Sequence, residues 1–221
     1  FFTFWESYYH PSNSFIFFYG NDDPDMRLKL MEGYLKPYKK KKIKSAVPLV
    51  KPFSKPKKIE QAYIASEGED LDKKHYLTVN WKLPDTSDPV LNLSFHILEH
   101  ALIGTPASPL KKALTDSGLG EDLAGIGLES DLREMIFSTG LKGTKARNAK
   151  KIEALIFDTL QSLVTNGIDP DTIAASINTI EFHLRENNTG AFPRGIAIML
   201  RSLTTWLHDD DAFKLLAFEA P

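Results

Sequence analysis

The 221-residue sequence contains no cysteine. Disulfide-stapled folds, thiolate catalysis and thiolate metal sites are therefore excluded. No apolar run reaches the roughly 18 residues of a membrane-spanning helix, so we expect no membrane partner. There is also no charge bias, because 27 Lys and Arg face 29 Asp and Glu for a net charge of -2. The overall composition thus gives no reason to expect a nucleic-acid partner.

The sequence also lacks an initiator methionine, a basic leader and a small-residue cleavage site at its start. The opening residues, Phe1 to Glu6, predict that the chain is a piece of a longer protein, with any targeting peptide upstream. What is present is globular in character, with 42% hydrophobic and 25% charged residues. A chain of this length can bury a sizeable core.

Residues 1–38 are predicted to be the C-terminal strand and helix of an incomplete α+β domain. The apolar run 14–19 is short, aromatic and stopped by Gly20, so it predicts a buried strand. Asp22-Asp23-Pro24 predicts the start of a helix, with acids and proline near its N-terminus. A strand and a helix do not make a domain, so we expect this piece to pack against further sequence.

Residues 36–58 contain ten lysines, four prolines and no acid. This composition predicts a solvated linker, which we place at residues 39–58. A contact surface for an anionic partner such as nucleic acid is the alternative. The segment has no arginine and only two aromatics, Tyr38 and Phe53, so a base-stacking surface is not indicated.

Residues 59–221 are predicted to form a second α+β domain, truncated at its C-terminus, with an antiparallel-rich sheet and helices on one face. Paired glycines around 118–120 and 125–127 are interpreted as turns. The expected elements, from apolar periodicity and capping residues, are strands at 62–65, 76–81 and 135–141 and helices at 88–103, 108–117, 146–166, 171–187 and 192–208.

The most specific local motif is His96-Ile97-Leu98-Glu99-His100, inside the predicted helix 88–103. Residues i and i+4 share one helical face, so both imidazoles can point at one ion. Two histidines and one acid are the protein ligands of many catalytic zinc sites, where zinc activates a bound water. Glu99 is the candidate base for that water, and the order His-x-x-Glu-His is that of the inverse zincins.

A third zinc ligand is needed, and the predicted helix 171–187 offers Glu181, with Glu186 as second choice. The alternative needs no metal. In it, His96 and His100 are half-buried helix residues bound to neighbours, and Glu181 forms an i, i+4 ion pair with Arg185.

Three long blocks of the sequence resemble the presequence proteases of the pitrilysin family, closest to the plant and algal organellar type. The blocks are Tyr8-Tyr9-His10-Pro11-Ser12-Asn13 with Phe18-Tyr19-Gly20-Asn21-Asp22-Asp23-Pro24; Leu102-Ile103-Gly104-Thr105-Pro106-Ala107-Ser108-Pro109-Leu110; and Asn178 through Gly190, continuing to Gly195.

The resemblance implies a segment of an ATP-independent zinc metalloendopeptidase of the chloroplast stroma or mitochondrial matrix. Such enzymes degrade cleaved transit peptides, presequences and other short unfolded peptides. Four related α+β domains form two halves around a chamber. This chain resembles the end of the first domain and most of the second, and we expect it to form chamber wall together with the remaining domains.

The same resemblance argues against zinc in this segment. In the family, the catalytic His-x-x-Glu-His lies in the first domain, upstream of the segment that Tyr8-Tyr9-His10 resembles. His96, Glu99 and His100 occupy the matching place in the second, normally non-catalytic domain, and Glu181 occupies the place of the distal acid. His96 departs from the family pattern there. We therefore expect no metal ligand and no catalytic residue in this chain. A non-proteolytic structural subunit of the same fold is the alternative.

Overall fold

The computed structural model describes residues 1–68, 71–208 and 210–217. They form two units, one made of Phe1–Pro48 and Thr189–Leu200 and the other of Leu49–Asn188 and Arg201–Pro221. The predicted limits at 38 and 59 stay predictions. Among the helices of the described residues, none is both long and apolar enough to cross a membrane.

The first unit contains helix α1 (Phe2–Tyr8) and helix α2 (Pro24–Leu35). The predicted start of α2 is confirmed. Asp23 caps it, because its carboxylate accepts from the backbone N–H groups of Asp25 and Met26 at 2.9 and 3.3 Å. Pro24 takes the first helical position, where no N–H partner is needed.

The strand predicted at residues 14–19 is wrong. The segment has no strand assignment, and its aromatic side chains are exposed, Phe15 by 46% and Tyr19 by 61%. A strand needs a neighbour to pair with, and no described residue outside the sheet of the second unit belongs to a strand. The aromatic composition favoured a strand, but the described residues offer no neighbouring strand with which residues 14–19 could pair.

The second unit is organised around a three-stranded antiparallel sheet in the order β1-β3-β2. The strands are β1 (His75–Asp85), β2 (Asp122–Glu129) and β3 (Glu134–Thr144). The strands predicted at 76–81 and 135–141 are confirmed and extend further at both ends. In β1 the predicted alternation holds: Tyr76, Thr78 and Asn80 are exposed, whereas Leu77, Val79 and Trp81 pack against the core.

One strand prediction and one turn prediction in this unit are wrong. Residues 62–65 form no strand; Tyr63 contacts β1 through its ring, 5.6 Å from that of Tyr76. The glycines at 125 and 127 lie inside β2 rather than in a turn. A bulge between Ala124 and Gly127 interrupts the pairing of β2 with β3, so the strand lacks the alternation by which a strand is predicted.

The helices of the second unit follow the predicted positions. They are α3 (Pro89–Glu99), α4 (Pro109–Asp116), α5 (Ala149–Asn166) and α6 (Pro170–Glu186); α7 (Arg194–Trp206) begins in the first unit and ends in the second. The predicted helix 88–103 is α-helical only to Glu99, and a π-helical turn covers His100–Gly104. The predicted helix at 108–117 is confirmed as α4.

The core lies between the sheet and the helices. Its buried side chains include Leu102, Leu110, Leu114, Leu141, Ile152 and Ile156, from the π-turn, α4, β3 and α5. Trp81 of β1 joins them, with its ring 5.6 Å from that of Phe137 and 6.0 Å from that of Phe157. The predicted α+β class, an antiparallel sheet with helices packed against it, is confirmed.

We predict that Ile152→Ala lowers the free energy of unfolding by about 2–5 kcal/mol, because it leaves a cavity under a fully buried side chain. Val164→Ala in the same helix is the matched control. Val164 is 80% exposed, so its truncation changes the free energy by less than about 0.5 kcal/mol. Urea denaturation measures both values. Equal losses in the two variants would contradict the assignment of the core to this face of α5.

Candidate metal centre

Helix α3 carries the His-x-x-Glu-His motif. The helix begins at Asp88, whose carboxylate accepts from the N–H groups of Val90 and Leu91 at 3.0 and 3.1 Å. The motif lies at the other end, where the α-helix gives way to the π-turn. A π-turn adds a residue to the helical turn and is frequent at functional sites, so the local geometry by itself permits a site here.

His96 is held by the loop between β2 and β3. Its Nε2 lies 3.1 Å from the hydroxyl oxygen of Ser130. The carbonyl of Ser130 accepts a hydrogen bond of 2.7 Å from the hydroxyl of Thr86, a fully buried residue at the end of β1. The serine that contacts His96 is therefore itself fixed by the sheet.

The electrostatic surroundings of His96 favour the neutral imidazole. Burial lowers the pKa of His96 below its ordinary value, because a charged ring loses its hydration there. The carboxylates of Glu99 and Asp131 raise this pKa, and the guanidinium of Arg201 lowers it. The net direction is downward, so His96 is uncharged at neutral pH.

His100 contacts a different element. Its Nδ1 lies 2.9 Å from the hydroxyl oxygen of Ser176 in α6. Ser176 donates its single hydroxyl proton to the carbonyl of Thr172 at 2.8 Å. The imidazole N–H of His100 is therefore the donor to Ser176, which fixes the tautomer with the proton on Nδ1.

The ring of His100 also packs against Gly104, across the π-turn. A Cβ at Gly104 would lie 2.6 Å from Cδ2 and 3.2 Å from Nε2 of that ring. Real Cβ atoms essentially never approach so closely, so glycine at this position makes room for the imidazole. The unprotonated edge of His100 is consequently turned toward its own helix.

Glu99 points to the sheet rather than to a shared centre with the two histidines. Its Oε1 accepts a hydrogen bond of 3.3 Å from the backbone N–H of Leu128 in β2. Glu181 pairs with Arg185 one helical turn later, at 2.7 Å between Oε1 and Nε. Glu186 is exposed at the end of α6. The two histidines, Glu99 and Glu181 thus each contact a different partner.

These residues do not fit a zinc ion. A catalytic zinc needs three side-chain donors on one centre, each within about 2.2 Å. Across residues 1–68, 71–208 and 210–217, no group of three His, Asp or Glu side chains is arranged to hold a metal. The helix expected to supply the third ligand, α6, does lie beside His100, but it contributes Ser176 there instead of Glu181.

Sequence reasoning missed the two serines. Ser176 is 2% exposed in an otherwise amphipathic helix, and Ser130 follows directly after β2. Serine is common and carries no spacing signal, so only the tertiary packing reveals it as a histidine partner.

Comparison with known proteins identifies the family of this chain. The family model described as the Peptidase M16 inactive domain matches residues 1–180. The matching model is thus that of a domain described as inactive. The chain belongs to the M16 peptidase family.

The chain is similar to several longer proteins. It is 46% identical over 221 residues to presequence protease 1, chloroplastic/mitochondrial, of Arabidopsis thaliana, covering 99% of this chain and 20% of that protein. It is 37% identical over 220 residues to protein HypA of Clostridium perfringens, covering 99% and 22%. It is 30% identical over 213 residues to the mitochondrial presequence protease of Mus musculus, covering 95% and 20%. The chain thus spans about a fifth of these relatives' length.

We predict that Ser176→Ala lowers the free energy of unfolding by about 1–3 kcal/mol, because it leaves the N–H of His100 without its acceptor. Asn178→Ala, at an exposed position of the same helix, is the control and changes it by less than about 0.5 kcal/mol. Urea denaturation at neutral pH measures both. No loss in Ser176→Ala would contradict the contact.

The lowered pKa of His96 predicts that the folded chain loses stability as the pH falls below about 6.5. In that range the unfolded chain binds a proton at His96 and the folded chain does not. The stability contribution is therefore complete above the ordinary histidine pKa. It declines as the pH falls toward the lower pKa of the folded state.

Urea denaturation at a series of pH values, run on the unaltered chain and on His96→Gln, measures this effect. The variant should have a shallower slope between about pH 6.5 and 5. Identical slopes would mean that His96 is not shielded from solvent.

Proposed function

We propose that this chain is a wall-forming, non-catalytic segment of a zinc metalloendopeptidase that degrades cleaved transit peptides, presequences and other short unfolded peptides without ATP. The observation that carries the proposal is that the ring nitrogens of His96 and His100 are hydrogen-bonded to Ser130 and Ser176. A duplicated domain that has lost catalysis would be expected to keep the motif of the peptidase while its histidines bind serines instead of a metal. The match to the inactive M16 domain and the relatives called presequence proteases support the same conclusion.

Under this proposal the zinc of the enzyme is held outside this chain, by the remaining domains with which the chain works. The relatives in Arabidopsis and mouse are described as chloroplastic/mitochondrial and mitochondrial. They support an organellar location, which we propose to be the stroma or the matrix. The peptides that such an enzyme meets are unfolded and basic, since transit peptides are rich in Arg and poor in acids.

The metal part of the proposal is tested by elemental mass spectrometry on the purified chain after dialysis against metal-free buffer. We predict no stoichiometric zinc and no cleavage of a synthetic transit peptide. His96→Ala is measured in parallel and should be indistinguishable from the unaltered chain in both assays. One zinc per chain that is lost in His96→Ala would contradict the proposal and make this segment a peptidase itself.

The activity part is tested in an extract of the organelle. Depletion with an antibody to this chain should remove the cleavage of a transit peptide that is sensitive to a zinc chelator. Depletion with an unrelated antibody is the control. If cleavage survives depletion while a respiratory or processing complex is removed, the chain is instead a structural subunit of that complex.

A further inference from the structure

Strand β2 lies at one edge of the sheet. The order β1-β3-β2 gives it β3 as a neighbour on one side, and none of the described residues forms a strand on the other. An edge strand presents every second N–H and C=O away from the sheet. Such a row is a ready template for any extended chain that can pair with it.

The middle of β2 is distorted by two glycines. Pairing with β3 shifts register between Ala124 and Gly127, and Gly125 and Gly127 have φ of +99° and +69°. Both conformations are in the left-handed region that only glycine adopts without strain. A Cβ at Gly125 would also lie 2.5 Å from the carbonyl oxygen of Ser138 in β3. The bulge is therefore specified by the sequence.

Glu99 occupies the space that the second glycine leaves. A Cβ at Gly127 would lie 2.3 Å from Oε1 of Glu99 and 3.7 Å from Cδ1 of Ile103. The same Oε1 accepts from the N–H of Leu128, the next residue of the strand. The helix carboxylate thus lies over the bulge and uses a backbone donor of the edge strand.

We propose that Glu99 is a positioning residue that closes the outer edge of β2 against the addition of a peptide strand. The inference rests on the proposed function, because the peptides that the enzyme degrades are extended and pair readily with open edges. A pairing strand needs the N–H groups of the edge as donors, and Glu99 has taken that of Leu128. It also brings a carboxylate to the place where the peptide backbone would lie.

This role differs from that of a base for zinc-bound water in one testable respect. A glutamine at position 99 keeps a carbonyl oxygen that can accept from Leu128 but cannot take a proton from water. Glu99→Gln therefore preserves edge closure and would abolish a general base. Glu99→Ala removes both.

The first test is amide hydrogen exchange of Leu128 by NMR on the full chain. Glu99→Ala should accelerate the exchange of this amide about tenfold, since the acceptor of its hydrogen bond is lost. Glu99→Gln should remain near the unaltered rate. Glu129→Ala is the matched control. It removes an acid of the same strand whose carboxylate accepts from Asp131, and it should leave Leu128 unchanged.

The second test is the binding of a fluorescein-labelled peptide of alternating threonine and valine, followed by fluorescence anisotropy. Binding to Glu99→Ala should be at least about tenfold tighter than to the unaltered chain, to Glu99→Gln or to Glu129→Ala. Circular dichroism establishes that each variant is folded. If Glu99→Ala is misfolded, Glu99→Met, which keeps the length of the side chain without an oxygen acceptor, replaces it.

The proposal is overturned if the exchange of Leu128 is unaffected in Glu99→Ala, if Glu99→Gln behaves like Glu99→Ala, or if the unaltered chain binds the peptide equally well. These results are independent of the function proposed above. Zinc in the chain would contradict the wall-forming role without changing the exchange of Leu128, and an open edge would leave that role intact.

Discussion

The second unit depends on the burial of one face of a small sheet. Three strands alone are marginal in water, and their apolar side becomes stable only when α4 and α5 cover it with Leu110, Leu114, Ile152 and Ile156. Once these helices are in place, the π-turn lies in the same core through Leu102. The end of α3 is thereby fixed close to β2 and α6. The positions of His96, Glu99 and His100 follow from this packing.

The environment decides the chemistry of the motif. The same three residue types can assemble a zinc centre when a third acid meets both imidazoles. Here Ser130 and Ser176 satisfy the imidazoles, and Leu128 engages the carboxylate. Hydrogen bonds to these partners satisfy the polar groups of the motif at their half-buried positions. In this chain of the M16 family, each of the three motif residues therefore contacts a different neighbouring element of the domain.

Sequence reasoning found most of this fold because its signals are local. Caps such as Asp88 with Pro89, and the alternation of Leu77, Val79 and Trp81, depend only on neighbouring residues. It failed where the outcome depends on distant partners. The run 14–19 resembled a strand but has none to pair with, and β2 was concealed by its glycines. The i, i+4 spacing predicted that the two histidines share a helical face. Their serine partners depend on tertiary packing alone and could not be predicted.

The lysine- and proline-rich segment 36–58 has no helix or strand and is exposed over most of its length. Under the proposed function, an enzyme that degrades basic peptides would carry a basic segment without regular secondary structure in its own chain. Three of its four prolines are spaced four residues apart, at positions 48, 52 and 56. Proline lacks the N–H that strand pairing requires and fixes its own φ, so this part of the segment is poorly suited to pair as a regular strand. It therefore shares the positive charge of such a peptide without the same capacity to add to a sheet.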